Sequence, residues 1–319
     1  MTSRHLLDPE LVPSSQEITS ISFSTDTLPQ LRAEMLKKAI EASTASENSS
    51  VATATIHVSG SEGAPAIRVL SYRPVVADGP LPVLLHLHGG GFVSGSPERK
   101  GAAHRKQCLE LGCAIFSVDY RLAPETPFPG AIEDCYAVLG WLTGNAEQLG
   151  IDKSRIAVSG ESAGGGLAAS LALLVRDRAE LSLCFQHLIS PMLDDRTAIE
   201  TNTSPFAGEF AWTRENNAFG WSALLGPDVG KVGTSPYAAA ARASDLSSLP
   251  PAFISVAALD LLMEEQVDYA TRLVKAGSPV ELHLYPGSYH GFSSACPRAE
   301  VSIAAERDSQ SALKRALHG

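Results

Sequence analysis

The stretch Ile156-Ala-Val-Ser-Gly160-Glu-Ser162-Ala-Gly164-Gly-Gly166 decides how this chain folds. An apolar, β-leaning run ends at Gly160, and a small-residue helical stretch, 167–175, follows. Between them stands G-x-S-x-G. The order is strand, sharp turn, helix, which is the setting a nucleophile elbow requires. On such a turn the serine Oγ projects from the top of a sheet. Side chains at Gly160 and Gly164 would collide with the neighbouring strand and helix. The helix N-terminus behind Ser162 offers unpaired N–H groups and a partial positive charge, and both favour an oxyanion formed there. A glycine-rich turn that merely packs a helix on a sheet would look alike in isolation. A nucleotide loop would not: G-x-x-x-G-G-G departs from G-x-G-x-x-G, and G-x-x-x-x-G-K-[ST] does not occur.

Around this turn the chain reads as alternating elements. Strands are expected at 53–58, 66–73, 81–88, 113–120, 155–159, 185–190, 252–257 and 280–285, with helices at 28–42, 102–111, 131–142, 261–276 and 301–317. The first two strands flank a Ser-Gly-Ser-Glu-Gly turn at 59–63. Strands alternating with helices predict an α/β fold: a central, mostly parallel eight-stranded sheet flanked by helices. The stretch 195–245 breaks the rhythm, with two tryptophans, several prolines and an alanine cluster. It reads as an insertion that covers the site together with the N-terminal helix, because a long irregular insertion in a compact domain is usually functional. The expected division is therefore an N-terminal cap segment 1–50, core 51–194, cap insertion 195–245 and core 246–319.

A formal net charge of −10 argues against nucleic acid or an anionic membrane as a partner. The N-terminus lacks the apolar run of a signal peptide, and no run approaches bilayer-spanning length. The five cysteines are scattered, which reads as reduced structural thiols in a cytoplasmic protein.

A serine nucleophile needs a base, an orienting acid and oxyanion donors. In α/β-hydrolase chain order the acid and then the histidine follow the serine. Four histidines follow Ser162. His187 and His283 lie within strand patterns and His318 adjoins the terminus, which leaves His290 in the loop after the last strand, at the carboxyl edge where ligands bind. Asp260, at the end of the preceding strand, is the candidate acid, although the same position suits a helix N-cap. Glu264, Glu265 and Asp268 read as first-turn and exposed-face carboxylates. His88-Gly89-Gly90-Gly91 ends the third strand, and successive glycines let backbone N–H groups converge on one point. The Ala163 N–H is the expected third donor. His88 reads as shaping the loop. Asp119-Tyr120-Arg121-Leu122-Ala123-Pro124-Glu125 reads as a structural charged loop.

Together these segments resemble the hormone-sensitive-lipase-like family of α/β-hydrolases, the bacterial family IV esterases. The resemblance rests on HGGGF at 88–92, DYRLAPE at 119–125, GESAGGG at 160–166, Asp260 in ALDLLMEE and His290 in YHGF. It covers about residues 50–319. It implies a helical cap in two parts, a Ser162–Asp260–His290 triad, and an oxyanion hole of Gly90, Gly91 and Ala163. It further implies hydrolysis of short- to medium-chain carboxylic esters without a cofactor or metal, and pairing of subunits through the last strand and its helix. Glu161 stands where many members have aspartate. Gly89, Phe92 and Glu161 are the expected substrate-side residues, and Phe206, Phe210, Trp212, Phe219 and Trp221 are candidate pocket or cap aromatics.

The expected partners are a small-molecule ester and water, with no nucleic acid or membrane and a homodimer left open. An amide or lactone hydrolase on the same triad is one alternative. A non-catalytic ligand receptor on a hydrolase scaffold is another, though His290 speaks against it. A true interfacial lipase is disfavoured by the acidic balance.

Overall fold

Eight strands form one sheet in the order β1-β2-β4-β3-β5-β6-β7-β8. The computed structural model describes residues 2–18, 22–61, 63–200 and 204–319. Parts of the expected N-terminal segment (1, 19–21), of the 59–63 turn (62) and of the 195–245 insertion (201–203) lie outside the described residues.

The strands are β1 (Val51–Val58), β2 (Ile67–Pro74), β3 (Leu81–Leu87), β4 (Ala114–Asp119), β5 (Ile151–Glu161), β6 (Phe185–Ile189), β7 (Ala252–Ala257) and β8 (Val280–Tyr285). β1 and β2 form an antiparallel hairpin, and β2 also runs antiparallel to β4. From β4 to β8 every neighbouring pair is parallel. All seven positions of β3 are buried, as expected for a strand covered on both faces.

The helices among the described residues are α1 (Val12–Ile18), α2 (Leu28–Thr44), α3 (Gly101–Leu111), α4 (Gly130–Gly144), α5 (Ala146–Leu149), α6 (Ala163–Arg178), α7 (Arg214–Leu225), α8 (Met263–Lys275), α9 (Phe292–Ala295) and α10 (Glu300–His318). Strand alternation decides which helix meets which face. Val83, Leu85 and Leu87 of β3 join Val138, Leu142, Leu171 and Leu273 of α4, α6 and α8 in one cluster. Leu84, between them, joins Ile115, Ala157 and Phe253 against Cys108 and Leu111 of α3 and Leu313 and Leu317 of α10. A third cluster joins Leu7 and Leu11 to Phe210, Tyr285, Tyr289 and Phe292. The N-terminal segment, the insertion and the chain around His290 are thereby one packed unit.

Four helices among the described residues were not legible as sequence; one is the four-residue α5, closed by Gly150 at φ 58°. α1 follows a start that reads as polar, and its place is set by distant groups: Asp8 N–H donates to Gly287 O at 3.0 Å. α7 lies in the insertion, begun by Thr213, whose Oγ1 accepts from the Asn216 N–H at 3.3 Å. α9 is a four-residue turn just after His290. Glu265, expected on an exposed face of α8, is turned inward, where its carboxylate accepts from the Leu193 N–H at 2.7 Å and from the Thr197 hydroxyl. Burial pushes its pKa well above the ordinary value.

β3 stands between β4, which follows it in the chain, and β5, which follows β4. The connections leaving β3 and β5 therefore diverge, and the crevice at their carboxyl ends is a topological switch point where α/β sheets place ligands. His88–Gly91 follows β3 and Ser162 follows β5.

Candidate active site

Ser162 lies between β5 and α6 with φ 55° and ψ −121°. This conformation costs a non-glycine residue about 1–3 kcal/mol and persists only where the surroundings enforce it. They do so at short range. Ser162 N–H donates to Ile189 O at 2.9 Å, and Ser162 O accepts from Gly166 N–H and Met192 N–H, each at 3.0 Å. A Cβ on Gly160 would stand 2.2 Å from Gly164 O, and one on Gly164 would stand 2.0 Å from Leu87 O. Strand, helix and β3 approach each other over bare backbone, as the motif required.

His290 Nε2 lies 2.9 Å from Ser162 Oγ, and His290 Nδ1 lies 2.6 Å from Asp260 Oδ2. A carboxylate can only accept, so Nδ1 carries the proton and Nε2 keeps a lone pair facing the serine hydroxyl. Asp260 is fully buried, and its other oxygen accepts from the Leu262 N–H at 3.1 Å. The N-cap position of α8 is Leu262, not Asp260, so the helix-cap alternative for Asp260 does not hold, and its two oxygens face the Leu262 N–H and the imidazole. The loops bearing acid and imidazole are joined by Leu259 N–H donating to Ser288 O at 2.9 Å. Tyr289, beside the imidazole, is tied to the N-terminal segment through a 2.6 Å contact between its hydroxyl and Ser14 Oγ.

The glycine loop turns tightly after β3. Gly90 and Gly91 have φ of 134° and 62°, which favour glycine. The Gly90 carbonyl accepts from Val93 N–H at 3.2 Å and Ser94 N–H at 2.9 Å, closing the turn. Among the described residues no protein acceptor pairs with the N–H of Gly90 or Gly91. The Ala163 N–H is the first of α6 and has no partner within its helix. His88 is buried, stacked on Tyr120 with ring centres 4.2 Å apart, and its Nδ1 lies 3.0 Å from Gly89 O. Burial lowers its pKa to about 4, so it is neutral at ordinary pH.

The DYRLAPE segment braces this loop. Tyr120 donates its hydroxyl proton to His88 O at 2.6 Å, and Ala123 N–H donates to Phe92 O at 3.0 Å. Arg121 is held by Asp134 at 2.6 Å. Glu125 grips Arg32 of α2, which also donates to Val93 O and Ala123 O. The contacts of Tyr120 and Ala123 end on the glycine loop, and that of Arg121 ends on α4.

A cavity of about 360 Å³ opens over Ser162 and His290. Gly89, Gly90, Gly91 and Glu161 line it, as do Phe23, Met35, Arg99, Lys100, Asn216 and Trp212. Ala163 is fully buried and does not line the cavity. Phe92, one of the expected substrate-side residues, does not line the cavity. With φ 65° its ring turns inward to lie 5.0 Å from that of Trp221. Trp212 lies 6.0 Å, ring centre to ring centre, from His290. Glu161 is fixed between Lys100 Nζ at 3.0 Å and His86 Nε2 at 3.1 Å. Burial would raise its pKa, but Lys100 and His86 outweigh burial and hold it well below the usual carboxylate range. Phe23, Met35 and Asn216 carry no local signal that could have singled them out. Arg99 and Lys100 had one: a charge run just beyond the glycine loop.

The sequence profile of the family described as "alpha/beta hydrolase fold" matches residues 84–294. The chain belongs to the α/β-hydrolase family. Within it, the HGGGF and GESAGGG segments put the chain on the hormone-sensitive-lipase-like branch. Carboxylesterase NlhH of Mycobacterium tuberculosis is 37% identical to this chain over 259 residues, 81% of each protein. An arylesterase of Saccharolobus solfataricus is 34% identical over 221 residues, 69% of this chain and 71% of that one. Among solved structures, a bacterial heroin esterase superposes with TM-score 0.90 at 39% identity, over 99% of this chain and 100% of that one. No helix among the described residues is long and apolar enough to cross a membrane.

Proposed function

We propose that this α/β-hydrolase is a serine carboxylesterase that hydrolyses short- to medium-chain carboxylic esters. The observation that carries the reading is the unbroken relay from buried Asp260 through His290 to Ser162, ending at the cavity floor. Names of relatives support esters over amides or lactones: they are a carboxylesterase and an arylesterase. His290 within hydrogen-bond reach of Ser162 speaks against a retired, receptor-like scaffold.

In this reading His290 Nε2 takes the Ser162 proton as Oγ attacks the acyl carbon. Asp260 holds the imidazole tautomer and stabilises the imidazolium. The tetrahedral oxyanion is met by the N–H groups of Gly90, Gly91 and Ala163. The C–O bond to the alcohol breaks as His290 returns the proton to the leaving oxygen. A water deprotonated by His290 then attacks the acyl carbon, and the acid leaves as Ser162 regains its proton. One preorganised oxyanion donor is typically worth about 3 kcal/mol of transition-state stabilisation.

The N-terminal segment and the 195–245 insertion act as a two-part cap in this reading. Its support is that Phe23 and Met35 from the first, and Trp212 and Asn216 from the second, line the cavity. A cytoplasmic location and pairing of two copies through β8 complete the proposal. The pairing has support in Leu282 and Leu284, which β8 leaves exposed.

A p-nitrophenyl ester series from acetate to palmitate, with wild type and Ser162→Ala in parallel, tests the reading. Turnover peaking at the shorter chains and lost by about four orders of magnitude or more in the variant is expected. Full activity in Ser162→Ala would remove the acyl-serine mechanism.

A further inference from the structure

Three successive charges, Glu98, Arg99 and Lys100, stand on the turn Pro97–Lys100 beyond the glycine loop. Two are spent on neighbours. Glu98 is ion-paired with Arg68 of β2 at 2.6 Å, and Lys100 with Glu161 at 3.0 Å. Arg99 is different. Its side chain is exposed and lines the cavity, and among the described residues its guanidinium has no hydrogen-bond or ion-pair partner.

The charge balance of the cavity wall follows. Lys100 and Glu161 cancel. Asp260 is buried behind His290 and compensates the imidazolium when that forms. Glu98 and Asp119 both bind Arg68 and do not line the cavity. Arg99 is left as the one uncompensated charge among the described lining residues, in a chain whose formal net charge is −10. Burial is the main cause of the lowered pKa of His88, and the positive charge of Arg99 adds to it.

We propose that Arg99 makes this cavity selective for esters that carry a carboxylate at the end remote from the scissile bond, the guanidinium pairing with that carboxylate. The proposal rests on the ester-hydrolase reading above and specifies its substrate class. A planar, permanently charged fork suits a carboxylate and can bind it through two parallel hydrogen bonds. Glu98 and Glu161 make no ion pair with Arg99; each is paired with another cation.

Two matched pairs of esters test this, one for each half of the substrate: monomethyl adipate against methyl hexanoate, and 4-acetoxybenzoate against its methyl ester. The readout is the anionic-to-neutral ratio of kcat/KM, measured at low ionic strength for wild type, Arg99→Gln, Arg99→Glu and Arg99→Lys. In at least one pair the ratio is expected to fall about five-fold in Arg99→Gln, further in Arg99→Glu, and to be largely restored in Arg99→Lys. The wild-type preference should also shrink as salt is raised. Lys153→Gln, a charge change at the far end of β5, should leave the ratio where it was. The pair that responds identifies which half of the ester faces Arg99. Ratios in Arg99→Gln and Arg99→Glu that stay within roughly two-fold of wild type, with both neutral esters still turned over, would overturn the proposal and leave the esterase reading intact. Absence of turnover on all four esters in wild type would remove both.

Discussion

The hydroxyl of Tyr120 donates to the carbonyl of His88 at 2.6 Å while its ring stacks on the same residue's imidazole. One residue of the DYRLAPE segment thus holds both the backbone and the side chain of the residue that opens the glycine loop. The phenol is buried, and burial pushes its pKa well above the ordinary value, so it remains a donor at any working pH. Tyr120→Phe leaves the ring stack and deletes the donor. The unpaired buried carbonyl should cost about 1–3 kcal/mol of stability. The loosened loop should lower kcat with little change in KM, because the oxyanion donors act in the transition state. Thermal melts and steady-state kinetics on one short-chain ester check both parts; an unchanged kcat would detach the brace from catalysis.

Gly164→Ala should be severely destabilising. Its Cβ would stand 2.0 Å from Leu87 O and 2.5 Å from His88 O, both backbone atoms of β3 and its extension. No side-chain rotation relieves such a clash, so α6 must move away from the sheet. A loss of at least about 3 kcal/mol is expected, or failure to fold, measured by urea denaturation.

Trp212→Ala should change which esters are accepted. A Cβ on Gly91 would meet the indole at 2.4 Å, so the ring lies directly on the glycine loop. It is anchored there by Nε1 donating to Asn217 Oδ1 at 3.1 Å. Removing it enlarges the cavity beside His290. Turnover should shift toward longer acyl chains, with a stability loss of about 3–5 kcal/mol. A chain-length profile identical to wild type would mean that the indole does not bound the acyl site.

Acid should destabilise the fold through two buried histidines. Burial lowers His88 to about 4 and His187 to about 3, against 6.5 for an unperturbed imidazole. His187 is held neutral between Ser159 Oγ at 2.9 Å and Ser309 Oγ at 2.8 Å. Between these values and 6.5 the unfolded chain binds more protons than the folded one. Stability is therefore complete above about pH 6.5 and falls as pH drops toward 4 and then 3. The loss is on the order of 3 kcal/mol for His88 and on the order of 5 kcal/mol for His187. Melting temperature against pH is the measurement, with His187→Asn expected to flatten the slope.

Much of this architecture was legible in the chain because the signals are local. Val83 to Leu87 read as a buried strand, and Gly160-Glu-Ser162-Ala-Gly164 as an elbow, from nearest-neighbour sterics alone. Asp260 and His290 were found because each follows a strand, and the carboxyl ends of parallel strands converge. α1 escaped because its apolar positions are few, and the places of both α1 and α7 are set by distant groups: Gly287 for the first segment, Phe23 and Phe92 for the rings of the second.

Sequence by itself therefore determined the sheet, the places of Ser162, Asp260 and His290 after their strands, and the glycines that let backbones touch. These depend on periodicity, on the space a Cβ needs and on the position of loops after strands. Tertiary structure alone decided which way side chains face and which charges meet. Phe92, at a positive φ, turns from the cavity and packs its ring on Trp221. Glu265 turns inward because the Leu193 N–H needs an acceptor. Glu98 and Lys100 find partners on β2 and β5 while Arg99, between them, finds none among the described residues. Burial and ion pairing are properties of three-dimensional neighbours, and no spacing along one chain encodes which of three adjacent charges will be left facing the cavity.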